Sequence, residues 1–319
     1  VRKNRLEPHE IMSIKSYVGS KSVRFDEALN DFCSDRRRIG VRESTIDYYT
    51  RFLTMFRRYI IREKDEIIPV DEIDVQLLDG FVEYLRDVRR NSTGGINAKI
   101  RAIRAFLFFC EDVGYISHNP AKDWKQIRGK EPEINTFTVS QINALLKQPD
   151  RRKLTGLRDY LLILFLIDTG ARISEALGVK VSDVKFEESR VYLRNTKSNL
   201  NRYVPMSDRL SAELRQFIRI HAGMSEYVFC NLRGDPIRRD SFRLILNELG
   251  KRAGITNVRC SPHTCRHTFS KFYILNGGDV FSLMQILGHS TLDMTKKYVR
   301  LFGTDIVNKH RKYSPLNNI

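Results

Sequence analysis

Six side chains of this sequence have the types that metal-free chemistry on a phosphodiester requires: Arg172, Lys197, His263, Arg266, His289 and Tyr298. Breaking such an ester without a metal sets four demands. Two guanidinium groups, planar and permanently charged, are best suited to neutralise the non-bridging oxygens. A tyrosine hydroxyl serves as an in-line nucleophile when a neighbour helps remove its proton, because its ordinary pKa is about 10. A lysine can give the leaving 5′-oxygen its proton. Histidines hydrogen-bond the phosphate and shuttle protons. Taken singly, each of the six has an ordinary structural use, as an exposed cation, a packed imidazole or one of thirteen tyrosines. Their conjunction is what points to chemistry. Four of them lie between His263 and Tyr298, with His263 and Arg266 one helical turn apart and His289 in Leu287-Gly288-His289-Ser290.

Other chemistries fit less well. Cys260, His263, Cys265 and His267 fall within eight residues and invite a zinc reading. On a helix starting at Pro262, however, His263 and His267 share a face while Cys265 points roughly opposite. His263-Thr-Cys-Arg-His267 also has arginine where a zincin helix needs glutamate. The carboxylates are dispersed rather than clustered as a two-metal nuclease needs, and no phosphate-binding glycine loop is present. The expectation is no metal and no cofactor.

The formal net charge of +17 names the kind of partner. Residues 1–130 carry 25 basic and 20 acidic side chains, a net +5, which leaves 30 and 18, a net +12, for the remainder. Both halves are basic, so nucleic acid is the leading partner, ahead of acidic proteins. The longest apolar run, Leu161 to Ile167, is far short of the roughly 20 residues of a membrane span. Residues 1–10 show no secretory h-region, and five scattered cysteines fit a reducing compartment. A cytoplasmic protein without a membrane anchor is expected.

Length and periodicity predict two mainly α domains. Residues 1–21 read as an N-terminal extension and 22–121 as a four-helix bundle. Phe25, Leu29 and Phe32 mark its first helix, and Tyr48, Phe52, Met55, Phe56 and Tyr59 its second. Asp74 caps a third over Val75 to Val88, and Ile96, Ile100, Ile103, Leu107 and Cys110 stripe a fourth over Ile96 to Val113. Asn97, Arg101 and Arg104 form a second stripe that could follow a phosphate backbone, though a solvated face is the commoner fate of such a pattern. Residues 122–135, with Gly129 and Pro132, read as an interdomain linker.

The second domain, 136–302, needs helices at Thr138 to Lys147 and Leu157 to Asp168, and another opened by Ala171-Arg172. Two strands follow, Arg190 to Arg194 and Arg202 to Met206, with Lys197 at the tip of their turn. Helices at Asp208 to His221 and Arg239 to Ala253 flank a candidate strand, Tyr227 to Cys230. Residues 303–319 form a basic tail.

Thr169-Gly-Ala-Arg-Ile-Ser-Glu-Ala-Leu177, the hairpin lysine, His-x-x-Arg-His at 263–267, Leu-Gly-His-Ser at 287–290 and a tyrosine nine residues later resemble the tyrosine recombinase (phage integrase) family. The likeness covers about residues 22 to 302. It implies a SAM-like core-binding domain before the catalytic one, in a compact, Xer-like architecture. It further implies that Arg172 and Arg266 clamp the scissile phosphate and that Lys197 is the general acid. His263 and His289 would complete the pocket, Glu175 would orient one of its residues, and Tyr298 would form a 3′-phosphotyrosine bond. Four protomers on two double-stranded DNA sites would exchange strands through a Holliday junction, with or without an accessory protein, and the tail would fold on its own domain or dock on a neighbour. The same chemistry also suits a type IB topoisomerase, and a catalytically silent DNA-binding regulator is a third possibility. Integration or excision of a mobile element and Xer-like dimer resolution both remain open.

Overall fold

The computed structural model describes residues 22–129, 133–194, 201–289, 291–292 and 295–298, with His310, Ser314 and Leu316. The expected extension 1–21 and most of the expected tail lie outside these residues. The chain divides into two units that meet in sequence at Pro132 and Glu133.

The first unit is built from α1 (Phe25–Arg38), α2 (Glu43–Lys64), α3 (Val75–Glu83) and α4 (Thr93–Asp112). A π-helical turn, Tyr84–Val88, continues α3 to the end expected for it. Local chemistry sets the starts. The Asp74 carboxylate accepts from the Leu77 N–H at 2.7 Å, and Ser92 accepts from the Gly95 N–H at 3.3 Å. The bundle core is largely aromatic. Phe25, Phe32, Phe56, Phe81 and Phe106 are all buried, with Phe25 against Phe106 at 5.1 Å and Phe56 against Phe81 at 5.0 Å.

The polar stripe on α4 has a use other than the expected one. Asn97 closes a two-way amide pair with Ile127, donating to its carbonyl at 2.9 Å and accepting from its N–H at 2.8 Å. Arg104 donates to the carbonyls of Trp124 and Lys122, and Arg101 donates to Gln126 at 3.1 Å. These side chains therefore fasten the segment after α4 to the bundle. Asn97 and Arg104 are committed to that task, while Arg101 stays exposed. The same bonds correct the linker, because its first part is anchored. Trp124 is buried and its indole N–H donates to Asp79 at 3.0 Å. Extended backbone has no partners of its own, so side chains from the neighbouring helix supply them.

The second unit begins with α5 (Val139–Leu146), started by a reciprocal Thr138–Gln141 capping box. Next comes α6 (Leu154–Thr169), whose Leu161, Leu162, Ile163, Phe165 and Leu166 are fully buried. A helix apolar on every side has to run through a core. Gly170 ends it in the left-handed region (φ 61°), and a Cβ there would lie 2.3 Å from the Phe269 ring. The five-residue α7 (Ile173–Leu177) follows. An antiparallel sheet of β1 (Val184–Lys185), β2 (Arg190–Leu193) and β3 (Arg202–Pro205) has the order β1-β2-β3, with Leu193 opposite Arg202.

Strand β1 was not expected; at two residues it has too little length to show a period. The candidate strand at 227–230 makes only isolated bridges, Lys180 with Tyr227 and Cys230 with Pro236. The remaining helices are α8 (Asp208–Ile220), α9 (Arg239–Arg252), α10 (Pro262–Leu275) and α11 (Val280–Leu287). Helix α10 packs along α6. Among the described residues the architecture is thus mainly α with one small sheet, and no helix is long and apolar enough to cross a membrane.

Trp124, the only tryptophan of the chain, reports on the anchored segment. Asn97→Ala is expected to lower the stability of the first unit by about 1 kcal/mol, the cost of leaving the half-buried Ile127 N–H and carbonyl without their side-chain partner. Tryptophan fluorescence during urea unfolding measures it, and an unshifted transition would show that the amide pair does not hold the segment.

Candidate active site

Five of the expected residues, Arg172, Glu175, Arg266, His289 and Tyr298, come together at the carboxyl end of α11. Gly288 ends that helix in the left-handed region (φ 63°) and leaves its last carbonyls without intrahelical partners. Arginines meet them. Arg202 Nε donates to the Ile286 carbonyl at 2.6 Å, and Arg266 Nη2 donates to that of Leu287 at 2.8 Å. Arg172 reaches the carbonyls of Leu287 at 3.4 Å and Gly288 at 3.3 Å. The partial negative charge of a helix C-terminus favours these cations. Gly288 is required here for a second reason, since a Cβ would sit 2.9 Å from the Arg202 guanidinium.

Glu175 ties the cluster together. It is 2% exposed, and each of its oxygens accepts from Arg202 at 3.0 Å. Oε1 also takes Arg172 Nη1 at 3.0 Å, while Oε2 takes the Arg172 backbone N–H at 2.8 Å and so caps the start of α7. Burial alone would raise its pKa, but the hydrogen bonds and charge of Arg202, with help from Arg172, hold it below the usual value. Arg266, 6% exposed, also donates to the Gly170 carbonyl at 2.8 Å. Burial, then repulsion from Arg172, pulls it down to about 10, which still leaves it charged at neutral pH.

His289 is fixed in both position and tautomer. Arg266 can only donate, so His289 Nε2 accepts from its Nη2 at 2.9 Å. The proton therefore resides on Nδ1, which donates to Thr295 Oγ1 at 2.8 Å. Burial and the charges of Arg266 and Arg172 lower its pKa to about 3. The Tyr298 ring lies parallel to the imidazole, with centroids 6.5 Å apart. Tyr298 is 2% exposed and packs with Ile274, Leu283 and Leu287 in a small satellite core. Burial raises its pKa, opposed by the charge of Arg266 and by the nearby Ser270 hydroxyl.

The structure thus gathers Arg172, Glu175, Arg266, His289 and Tyr298. His263 begins α10 and is exposed, and Lys197 lies outside the described residues. Two residues of the cluster were not expected. Arg202 looks like an ordinary alternating strand position, and its partner Glu175 is far away in sequence. His267, named from the sequence only in the dismissed zinc grouping and as the end of the His-x-x-Arg-His motif, meets the Tyr298 hydroxyl through Nδ1 at 2.8 Å. The zinc grouping does not form: Cys265 and Cys260 are buried, and no metal-holding group of His, Cys, Asp and Glu occurs among the described residues.

Fold and cluster together define a class: a helical bundle unit preceding a mainly α unit that gathers arginines, histidines and a tyrosine around a helix terminus. A profile described as the phage integrase SAM-like domain matches residues 24–127, and that of the phage integrase family matches residues 135–304. The second match alone covers more than half of the chain, which belongs to the phage integrase family of tyrosine recombinases. Tyrosine recombinase XerD of Staphylococcus haemolyticus is 28% identical over 284 residues, spanning 86% of this chain and 94% of that relative. A lambda integrase dimer bound to a COC′ core site is similar in fold, with a TM-score of 0.74 at 15% identity over 93% of this chain and 81% of that one. The Tn1549 transposon integrase in complex with a circular intermediate DNA gives a TM-score of 0.67 at 20% identity, over 85% and 94%.

Two outcomes test this electrostatic arrangement. Arg202→Ala leaves the buried Glu175 with one cationic partner and is expected to destabilise the second unit by about 3 kcal/mol. Thermal or urea unfolding reads it, and a change within error would show that the pair does not brace the site. The second outcome concerns pH. His267 and His289 sit near 4 and 3 in the folded chain, below the ordinary value of 6.5. The unfolded chain therefore binds more protons between those values, so their contribution is complete above about pH 6.5 and declines as pH falls toward 4. Melting temperature should drop across that window, and less steeply in His289→Asn; equal slopes would contradict the assignment.

Proposed function

We propose that this recombinase cuts and rejoins DNA at specific sites through a covalent bond between Tyr298 and a 3′-phosphate. The observation that carries the proposal is the meeting of Arg172, Arg266 and His289 at the end of α11, with the Tyr298 ring beside His289. In this reading the two guanidinium groups, each held in place by backbone carbonyls, neutralise the non-bridging oxygens as charge builds on the phosphorane. His289, neutral with its proton on Nδ1, holds Arg266 in place, and the exposed His263 completes the pocket from the start of α10. Glu175 orients Arg172. Lys197, between β2 and β3, protonates the leaving 5′-oxygen. One ester is exchanged for another, so neither ATP nor a metal is needed to conserve the bond.

The lambda integrase likeness extends to a tetramer bound to a Holliday junction, at a TM-score of 0.73. On that likeness, four copies of this chain would bring two double-stranded sites together and exchange strands in turn. Arg101, still exposed on α4, is the remaining candidate of its stripe for a DNA contact. The relatives include both XerD proteins and a transposon integrase, so dimer resolution and mobile-element movement are both suitable roles, carried out on DNA in the cytoplasm. An accessory protein is compatible with either. No observation favours a topoisomerase-like or a catalytically silent reading.

A nicked suicide duplex containing the recombination site traps the intermediate. Wild-type protein in excess chelator is expected to give a denaturation-resistant protein–DNA adduct, and Tyr298→Phe none. An adduct that persists in the phenylalanine variant, or one that forms only with magnesium, overturns the proposal.

A further inference from the structure

Phosphotyrosine formation leaves one proton to be placed. Tyr298 must lose its hydroxyl proton as its oxygen bonds to phosphorus, and burial raises its pKa, so a neighbouring acceptor is needed at that moment. Of the expected residues gathered at the end of α11, Arg172 and Arg266 can only donate, and Glu175 is committed to Arg172 and Arg202. His289 is also unavailable, since its Nε2 is taken by Arg266 and its Nδ1 carries the proton toward Thr295. The Tyr298 hydroxyl instead meets His267 Nδ1 at 2.8 Å, with ring centroids 5.7 Å apart. A phenol is a stronger acid than a neutral imidazole, so the phenol donates and Nδ1 accepts.

Resting on the reading of Tyr298 as nucleophile, we propose that His267 is the proton acceptor for Tyr298 and returns the proton when the strand is rejoined. In cleavage the phenolic oxygen bonds to phosphorus and its O–H bond breaks, the proton moving to Nδ1. The P–O5′ bond then releases a 5′-hydroxyl, protonated by the general acid. In rejoining, a 5′-hydroxyl attacks phosphorus and returns its proton to the group that served as general acid, while the leaving phenolic oxygen takes its proton back from Nδ1. No other reactant enters the balance.

The surroundings keep His267 ready for this role. The groups facing it are Tyr298, and the cations or potential cations Lys297, His263 and Arg266. Burial, then those charges, holds it down to about 4, so it is neutral and able to accept throughout the physiological range. A bound phosphodiester brings a negative charge into the same cluster, which raises the basicity of His267 when the proton has to move. The contact also links two elements, since His267 is on α10 and Tyr298 lies in the helical stretch 295–298. Ser270, one turn further along α10, lies near the same tyrosine and gives its own hydroxyl proton to the Arg266 carbonyl at 2.9 Å.

A 5′-bridging phosphorothiolate separates acceptor from general acid, because a thiolate leaves without needing a proton. Single-turnover cleavage is measured on suicide duplexes carrying the site, selected from random sequence by binding, with oxygen or sulfur at the scissile 5′ position. His267→Asn keeps an acceptor atom near Nδ1 but cannot take a proton at neutral pH. It is expected to cleave both substrates about 100-fold more slowly than wild type, the usual worth of a positioned base. Lys197→Ala should be slow on oxygen and restored by sulfur. Cleavage by His267→Asn within about threefold of wild type on the sulfur substrate, or its rescue by sulfur, overturns the proposal. On the same substrate the wild-type rate should fall at acid pH as His267 protonates, and the variant should lack that limb. If the variant does not fold, the wild-type profile decides, and a rate flat throughout the range of DNA binding overturns the proposal. An adduct formed by Tyr298→Phe would sink the nucleophile assignment itself and is a separate outcome.

Discussion

The catalytic unit depends on the meeting of three arginines with the carboxyl end of one short helix. Helix α11 stops at Gly288 with its last carbonyls exposed, and Arg172, Arg202 and Arg266 satisfy them from three different parts of the chain. Each arginine would be an expensive group to bury alone. Together they share the partial charge of the helix terminus and one buried carboxylate, Glu175, which fixes two of the three. The glycines at 170 and 288 make the approach possible. The first ends α6 where Arg172 must turn inward, and the second leaves room for the Arg202 guanidinium. Rigidity of this kind suits a site that stabilises developing charge, because donors held in advance need no reorganisation when the charge appears.

The tyrosine side of the pocket follows a different logic. Its ring belongs to a satellite core with Ile274, Leu283 and Leu287, and its hydroxyl is shared with α10. Packing against aliphatic side chains holds the phenol in place but also makes it a weaker acid. The two histidines nearest to it both have depressed pKa values, for the same reasons of burial and neighbouring cations. They differ in their partners. His289 is saturated by Arg266 and Thr295, whereas His267 faces the phenol. Two imidazoles with similar electrostatics are thereby given different capacities by hydrogen bonding alone.

Much of this was legible in the sequence. The stripe Ile96, Ile100, Ile103 located α4, the continuous run from Leu161 to Ile167 located the core helix, and the spacing of Arg266, His289 and Tyr298 pointed to part of the cluster. Local patterns report on a residue's own element, and the missed features are those whose reason lies elsewhere. Arg202 alternates correctly for a strand, and nothing near it announces a carboxylate on α7. His267 follows Arg266 on a helix, and its partner lies beyond another helix and a turn. Asn97 and Arg104 had the spacing of a phosphate-binding stripe, but the backbone that they hold is the chain's own, at Lys122, Trp124 and Ile127. Periodicity identified the face and could not identify what lay against it.

The charge balance at the end of α11 has a further consequence. With both histidines neutral, the described cluster holds three guanidinium groups against one carboxylate, a surplus of two positive charges in a space largely closed to water. Such a site is in tension with itself until an anion arrives, and it does not distinguish a phosphodiester by charge alone. Sulfate, inorganic phosphate and other small tetrahedral oxyanions carry the same geometry, and without DNA they relieve the same repulsion. If Arg172 and Arg266 hold the scissile phosphate as proposed, such buffer anions compete at this pocket as well as adding ionic strength. Selectivity for DNA must come from the rest of the duplex, read by surfaces far from the phosphate being cut.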